Sequence, residues 1–235
     1  MKLFLYQESD GYCYNSDSIF LYSFIKKYPI KGSVLDIGCG VGVLSLLLAK
    51  SFKANFYAVE KQKSMYFYTS KNAELNRRQL NVVNCEFQDF KPQVEFDFIV
   101  SNPPFYSVDK NQSPNSSKNI ARYAHHLPLD LLISKSSRLL KPRGYFIFCY
   151  DAWQIESIFA LLKENKMQAE SVQFIHPKAD KEAKTVMIAA RKNSNARSKV
   201  FAPFITFKSD GSYTQEAQKA FKEANTHSIK AVRDD

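Results

Sequence analysis

The sequence predicts an α/β domain: a mostly parallel sheet, doubly wound, with helices on both faces. Three observations carry this. Short apolar runs alternate with longer amphipathic stretches along most of the chain. The run at 33–37 is followed at once by Gly38-Cys39-Gly40-Val41-Gly42 and then by a Leu-rich stretch, the strand–turn–helix that opens a βαβ unit. Polar residues recur at or near four successive strand ends, at Asp36, Glu60, Asp89 and Asn102, where open parallel sheets bind their ligands.

The elements follow from local patterning. Residues 1–8 show only a brief apolar patch with no small-residue cleavage site. Residues 11–25 begin as a turn and continue as a helix, with Asp17 or Ser18 as its cap and Phe20, Leu21, Phe24 and Ile25 at helical spacing. After the strand at 33–37 come a buried helix at 43–52, a strand at 55–60, a polar helix at 61–76, a strand at 80–86 and a strand at 96–101. Residues 106–120 are polar and aperiodic, as a substrate lid or a disordered loop would be. A helix at 127–140 is ended by Lys141-Pro142-Arg143-Gly144, followed by a strand at 145–150 and a helix at 155–164. Strands at 168–175 and 185–190 close the sheet. A charged connector at 192–199, a strand at 200–207, a turn at 209–212 and a polar helix at 213–224 complete the chain, whose last residues look frayed. The main domain is expected to span 1–192, with 193–235 an extension packed on or near it.

The 235 residues, 45% hydrophobic, suffice for one sizeable core. No run of roughly 18 apolar residues exists to cross a membrane. Cys13, Cys39, Cys85 and Cys149 are scattered without a C-x-x-C pair, and the four histidines form no ligand pattern, so neither disulfides nor a metal is expected and a reducing cytoplasm fits. The net charge of +10 suits an acidic partner, most simply nucleic acid.

The chemistry gathers at Asn102-Pro103-Pro104-Phe105. Each proline fixes its φ and lacks an N–H, and the residues before the prolines are pushed away from helix geometry, so the chain leaves the strand extended with its carbonyls free. The Asn102 side-chain oxygen and the Pro103 carbonyl can each accept one N–H of a planar amine. That supports the positive charge growing on nitrogen as it attacks a sulfonium methyl, and no proton need be removed first. Phe105 can stack on the base for about 1–3 kcal/mol, once the base is flipped out. The glycine turn by itself suits a dinucleotide, a nucleotide or S-adenosylmethionine; its spacing is wrong for the pyrophosphate fingerprint. Gly38, Cys39 and Gly40 let the backbone approach a ligand closely. Glu60, with Lys61 beside it, is placed for two ribose hydroxyls, and Asp89-Phe90 for an adenine amine and ring face. Taken singly, any of these acids is ordinarily a helix cap or a surface charge.

Asp36 to Gly42 resembles the cofactor motif of class I S-adenosylmethionine-dependent methyltransferases, and Asn102-Pro103-Pro104-Phe105 is similar to the motif of amino-methyltransferases acting on adenine N6 and a few other planar amines. More narrowly, the chain resembles the bacterial tRNA1(Val) adenine-N6 methyltransferases. Three further stretches carry that match: Gly11-Tyr12 through Asp17-Ser18-Ile19-Phe20-Leu21, Ala121-Arg122, and Pro203 through Asp210-Gly211-Ser212-Tyr213-Thr214. The resemblance implies a Rossmann-like seven-stranded sheet with its last strand antiparallel, and S-adenosyl-L-methionine as cofactor. It implies action on a tRNA anticodon stem-loop at the adenosine 3′ of the anticodon; the sequence does not fix the oligomeric state, and a monomer is favoured. It also implies that the Asp17 segment packs over the methionine end of the cofactor. Arg122, Lys192 and Arg197 are the expected nucleic-acid contacts. The same motif serves glutamine-amide methylation, but only about 32 residues precede the first predicted sheet strand, too few for the extra helical domain those enzymes carry. DNA or rRNA adenine methylation, a silent cofactor- or RNA-binding module and a nucleotide-binding oxidoreductase are the other readings. The intact Asp36 and Asn102 disfavour the module, and the glycine spacing disfavours the oxidoreductase.

Overall fold

A computed structural model describes residues 2–8, 14–104 and 127–231. Its strands are β1 (Leu3–Glu8), β2 (Ser33–Ile37), β3 (Asn55–Glu60), β4 (Asn81–Asn84), β5 (Phe96–Ser101), β6 (Leu140–Asp151), β7 (Met167–His176), β8 (Thr185–Lys192), β9 (Lys199–Val200), β10 (Phe204–Ile205) and β11 (Thr226–Ala231). Its α-helices are α1 (Ser16–Ile25), α2 (Val43–Ser51), α3 (Lys63–Leu75), α4 (Leu129–Leu139), α5 (Ile155–Glu164) and α6 (Gln215–Ala224). The predicted lid at 106–120 lies outside the described residues.

The main sheet runs β10-β7-β8-β6-β5-β2-β3-β4, with β9 also alongside β7. Strands β4, β3, β2, β5 and β6 are parallel neighbours, and β8 runs antiparallel between β6 and β7. The seven-stranded core with its last strand reversed is therefore present, extended at the β7 edge by two short strands. The central strands read as continuous apolar runs because both faces are covered: Val34, Leu35 and Ile37, then Ile99 and Val100, then Phe146 to Cys149, are all buried. Edge strand β4 instead alternates between exposed and half-buried positions.

Helix α1 is buried nearly all round, from Ile19 to Tyr22 and at Phe24 and Ile25. It packs against α2, β6 and α6. Ala217, Ala220 and Ala224 give α6 a small-residue face that lets it approach, and Phe20 and Phe221 meet at 5.5 Å beside them. The expected cap at Asp17 or Ser18 is not what starts α1. The helix begins at Ser16 after Asn15, no side chain caps it, and Ser18 bonds elsewhere.

Both ends of the chain depart from the sequence reading. The patch at the start is β1, and the supposedly frayed end includes β11, which pairs with β1 in parallel, Leu3 opposite Thr226. The other edge of β1 is met by side chains of α3. Asn72 accepts from Tyr6 N at 2.7 Å and donates back to Tyr6 O, and Asn76 does the same for Phe4. Two asparagines one turn apart match two β1 residues two apart, so side-chain amides stand in for a third strand. Local patterning misses this because the partners are remote and β11 is polar. Strand β6 is also longer than expected, since residues 141–144 continue it through an irregularity at Arg143 rather than only ending a helix.

One glycine ties down the base of this sheet. Gly32 has φ +71°, and a Cβ there would lie 2.1 Å from Asp97 Oδ2. That oxygen accepts from Ser33 N and Lys141 Nζ, both at 2.8 Å. Gly32→Ala adds left-handed strain and displaces the carboxylate, so a loss of about 2–3 kcal/mol is expected. Thermal melts should show a fall of roughly 5–12 °C, and an unchanged midpoint would refute the tie.

Candidate active site

The carboxyl ends of β2, β3 and β5 open onto one pocket. Its floor is the glycine turn. Gly38 and Gly40 hold φ of 66° and 58°, and a Cβ on either would meet nothing within 4 Å, so the backbone faces open space that a ligand can fill. Gly42, at φ 83°, has no such room: a Cβ would come 2.9 Å from Thr69. The turn is held from three sides. Gly38 N donates to Val59 O, Thr69 Oγ1 donates to Gly40 O, and Asn72 Nδ2, the same amide that bonds β1, donates to Val41 O.

Two carboxylates line the pocket. Glu60 Oε2 accepts from Gly40 N at 2.9 Å and Oε1 from Gln62 N at 2.8 Å. Burial pushes the Glu60 carboxyl up, against the pull of those N–H groups. Asp36 Oδ2 accepts from Ser45 Oγ at 2.6 Å and Ser45 N at 3.1 Å, which pins the start of α2 to the end of β2. Burial lifts Asp36 to about 7 despite the Ser45 donors, and the Glu60 charge adds to the rise. A carboxyl whose folded pKa is raised binds more protons folded than unfolded, so stability falls as pH rises from about 4 towards 7. Asp36→Asn should therefore lose less of its melting temperature between pH 5 and pH 8 than the parent chain does. Parallel melting curves across that range would refute it.

The wall is built by Asn102. Its Nδ2 donates to Ser18 Oγ at 2.8 Å, and Cys149 Sγ donates to its Oδ1 at 2.8 Å. Cys149 is fully buried, and burial holds its thiol well above the usual range, so it remains a donor. One Oδ1 lone pair is left for another donor. Tyr14, Asn15 and Ser18, from the start of α1, close the pocket on that side. Asn15 Oδ1 is buried with no hydrogen-bond partner among the described residues. An orphaned buried acceptor is costly, and a positively charged or hydroxyl-bearing ligand would relieve it.

Asp36, Gly38, Cys39, Gly40, Glu60, Lys61, Asn102, Pro103 and Pro104 therefore line one pocket. Asp89 and Phe90 do not. Residues Phe87–Asp89 form a 3-10 turn that points Phe87 into the pocket, with Cys85 beside it, while Asp89 and Phe90 line a second hollow behind β4. Phe105 and Arg122 lie outside the described residues. Lys192 and Arg197 are not brought to the pocket. Because β8 is antiparallel, Lys192 ends up beside Met167 at the start of β7, on the opposite rim of the sheet, with its Nζ on Leu140 O at 2.6 Å. Asn15, Ser18 and Cys149 were missed as site residues. Nothing local marks a serine inside an apolar helix or a cysteine inside an apolar strand as partners of Asn102. Among the described residues no cluster of His, Cys, Asp or Glu can hold a metal, and no helix is long and apolar enough to cross a membrane.

Residues 14–154 match the family model of the methyltransferase small domain. A tRNA1(Val) (adenine(37)-N6)-methyltransferase of Phocaeicola vulgatus is 32% identical over 67% of this chain and 68% of its own length. The protein of the same name from Pedobacter heparinus is 30% identical over 71% and 72% respectively. Among solved structures, an Agrobacterium tumefaciens protein described as a predicted O-methyltransferase superposes with a TM-score of 0.68 at 16% identity, covering 92% of this chain and 100% of that one. A Thermus thermophilus 16S rRNA N2 methyltransferase in complex with AdoMet and guanosine superposes at 0.57 with 20% identity, over 78% and 44%. At these identities the structural likenesses show the fold.

Proposed function

This chain belongs to the methyltransferase small domain family, and within it to the tRNA1(Val) (adenine(37)-N6)-methyltransferases, and from that membership we propose how its pocket works on an adenine of tRNA. It is an S-adenosyl-L-methionine-dependent N6-methyltransferase, and we assign it the adenosine 3′ of the anticodon of a valine tRNA, read as a monomer in the cytoplasm.

The pocket suits the cofactor on its own features: the open cradle over Gly38 and Gly40, the buried acceptor Asn15 Oδ1, and the Glu60 carboxylate at the end of β3. Glu60 would take the ribose hydroxyls, because each carboxylate oxygen keeps a lone pair beyond its backbone bond. Asn15 Oδ1 would take the ammonium of the methionine end. When bound, S-adenosyl-L-methionine supplies an electrophilic methyl on a sulfonium.

The chain's own task is to hold the amine. Asn102 Oδ1, fixed by Ser18 and Cys149, and the Pro103 carbonyl each accept an amine N–H. The two acceptors lie where positive charge grows on nitrogen, so they stabilise the transition state more than the ground state. No general base is required, since the proton can leave after the methyl has arrived. Phe105, as the next residue in the chain, would stack on the flipped base.

The observation that carries this reading is the pinned Asn102 amide on the wall of the pocket that also holds Glu60. The test is methyl transfer to total tRNA from a strain lacking this gene, with the modified nucleoside and its position read by mass spectrometry. N6-methyladenosine 3′ of a valine anticodon is the expected result. Methyl found at another tRNA position, or no transfer to tRNA at all, would overturn the assignment.

A further inference from the structure

We propose that the rim of the sheet opposite the pocket is a second contact surface for the RNA, gripping the phosphate backbone of an arm remote from the base being methylated. This rests on tRNA being the substrate.

The sheet register sets a cation at the amino end of almost every parallel strand. Lys31 and Lys53 lie two residues before β2 and β3, Arg77 four before β4, Arg143 three residues into β6 and Lys166 just before β7; Lys192 ends antiparallel β8 on the same rim. At about 4.8 Å between strands, a row across seven strands is roughly 30 Å long. The interruption is at β5, where Asp97 is paired with Lys141 at 2.8 Å. None of the six cations in the row makes an ion pair among the described residues. All but Lys192 are exposed.

Backbone conformation adds an independent observation. Arg77, Arg143 and Lys166 have φ of 52°, 65° and 56°. The left-handed region costs a side-chain-bearing residue about 1–2 kcal/mol and is the ordinary place for glycine or asparagine. Three turns at one rim therefore hold a cation where a glycine would relax the chain. Asn193, the left-handed residue after β8, is the ordinary asparagine, so strain kept at three cations on the same edge points to use of their charge.

The pocket at the other end of the strands is lined by two buried carboxyls, Asp36 and Glu60, with Lys61 beside them. A partner that puts a base in the pocket and phosphates on the far rim must span a strand of about 20 Å and the loops at both ends. A folded RNA with more than one arm fits. A short hairpin bound at the pocket does not.

The experiment replaces Arg77, Arg143 and Lys166 together by glycine. These changes remove three charges and relax the backbone, so the melting temperature should hold or rise and misfolding cannot account for lost binding. Filter binding across a salt series is then run with full-length valine tRNA and with its isolated anticodon stem-loop. Affinity for the full-length tRNA should drop at least about tenfold, with the slope of log K against log salt shallower by roughly two to three, while stem-loop binding is unchanged. Unchanged full-length binding, or equal loss for both RNAs, would overturn the second surface. Should the parent chain bind tRNA with this signature yet leave it unmethylated, the surface stands and the methyl-transfer assignment falls.

Discussion

Asn102→Ala lowers turnover on tRNA by at least about a thousandfold, while cofactor affinity by calorimetry stays within tenfold. The first figure follows from the two tasks its side chain has. It offers an acceptor where charge grows on the amine, worth roughly 10²–10³ in comparable preorganised sites. It also fixes the line of attack, so that loss of alignment adds to the loss of charge stabilisation. The second figure follows from its place on the wall rather than the floor: its amide is spent on Ser18 and Cys149, not on the glycine turn. The two supports give a graded control. Cys149→Val removes the thiol that marks which end of the amide carries oxygen, and turnover should fall about tenfold or more with the tRNA KM nearly unchanged. Cys149→Ser, which keeps a donor, should recover much of it. Retained turnover in Asn102→Ala sinks the catalytic assignment; a Cys149→Val protein as active as the parent sinks the support.

Glu60→Ala has the second large effect, and on a different quantity. The dissociation constant for S-adenosyl-L-methionine is expected to rise at least about a hundredfold, whereas the rate at saturating cofactor changes only a few-fold. Glu60 holds Gly40 N and Gln62 N, one on each oxygen. Its loss orphans two backbone donors at the pocket and removes the proposed acceptor for the ribose. Hydrogen bonds to a charged group are worth about 1.5–3 kcal/mol each, and 1.4 kcal/mol is a factor of ten. Glu60→Gln keeps one oxygen and should fall between. A dissociation constant within threefold of the parent's would show that the ribose lies elsewhere.

Much of this site could be read from the chain before the fold was seen. The strand–glycine–helix at 33–51 and the apolar run before Asn102 are local signals, and burial on both faces leaves no alternative period for them. A parallel sheet then brings their carboxyl ends together without further information, which is why Asp36, Glu60 and Asn102 converge. What failed was non-local or directional. Asp89 was placed by sequence position, and one 3-10 turn was enough to aim it away. Lys192 was read from charge as an RNA contact, and what charge alone leaves open is its rim, which the reversed closing strand sets away from the pocket. Ser18 read as a helix cap because capping is its commonest local use, and a partner 84 residues away left no trace in the local pattern.

The pairing of β1 with β11 bears on how the protein is made. Leu3 and Thr226 are neighbours in space but roughly 220 residues apart along the chain. On a ribosome β1 emerges before β11 and must wait, with its apolar Leu3 and Leu5, until the main sheet between them has been translated. Asn72 links that strand to the turn at Val41. The strand that Asn72 ties to the glycine turn therefore gains its second neighbour late in synthesis, so a chain truncated before residue 226 would hold β1 by the two asparagines of α3 alone.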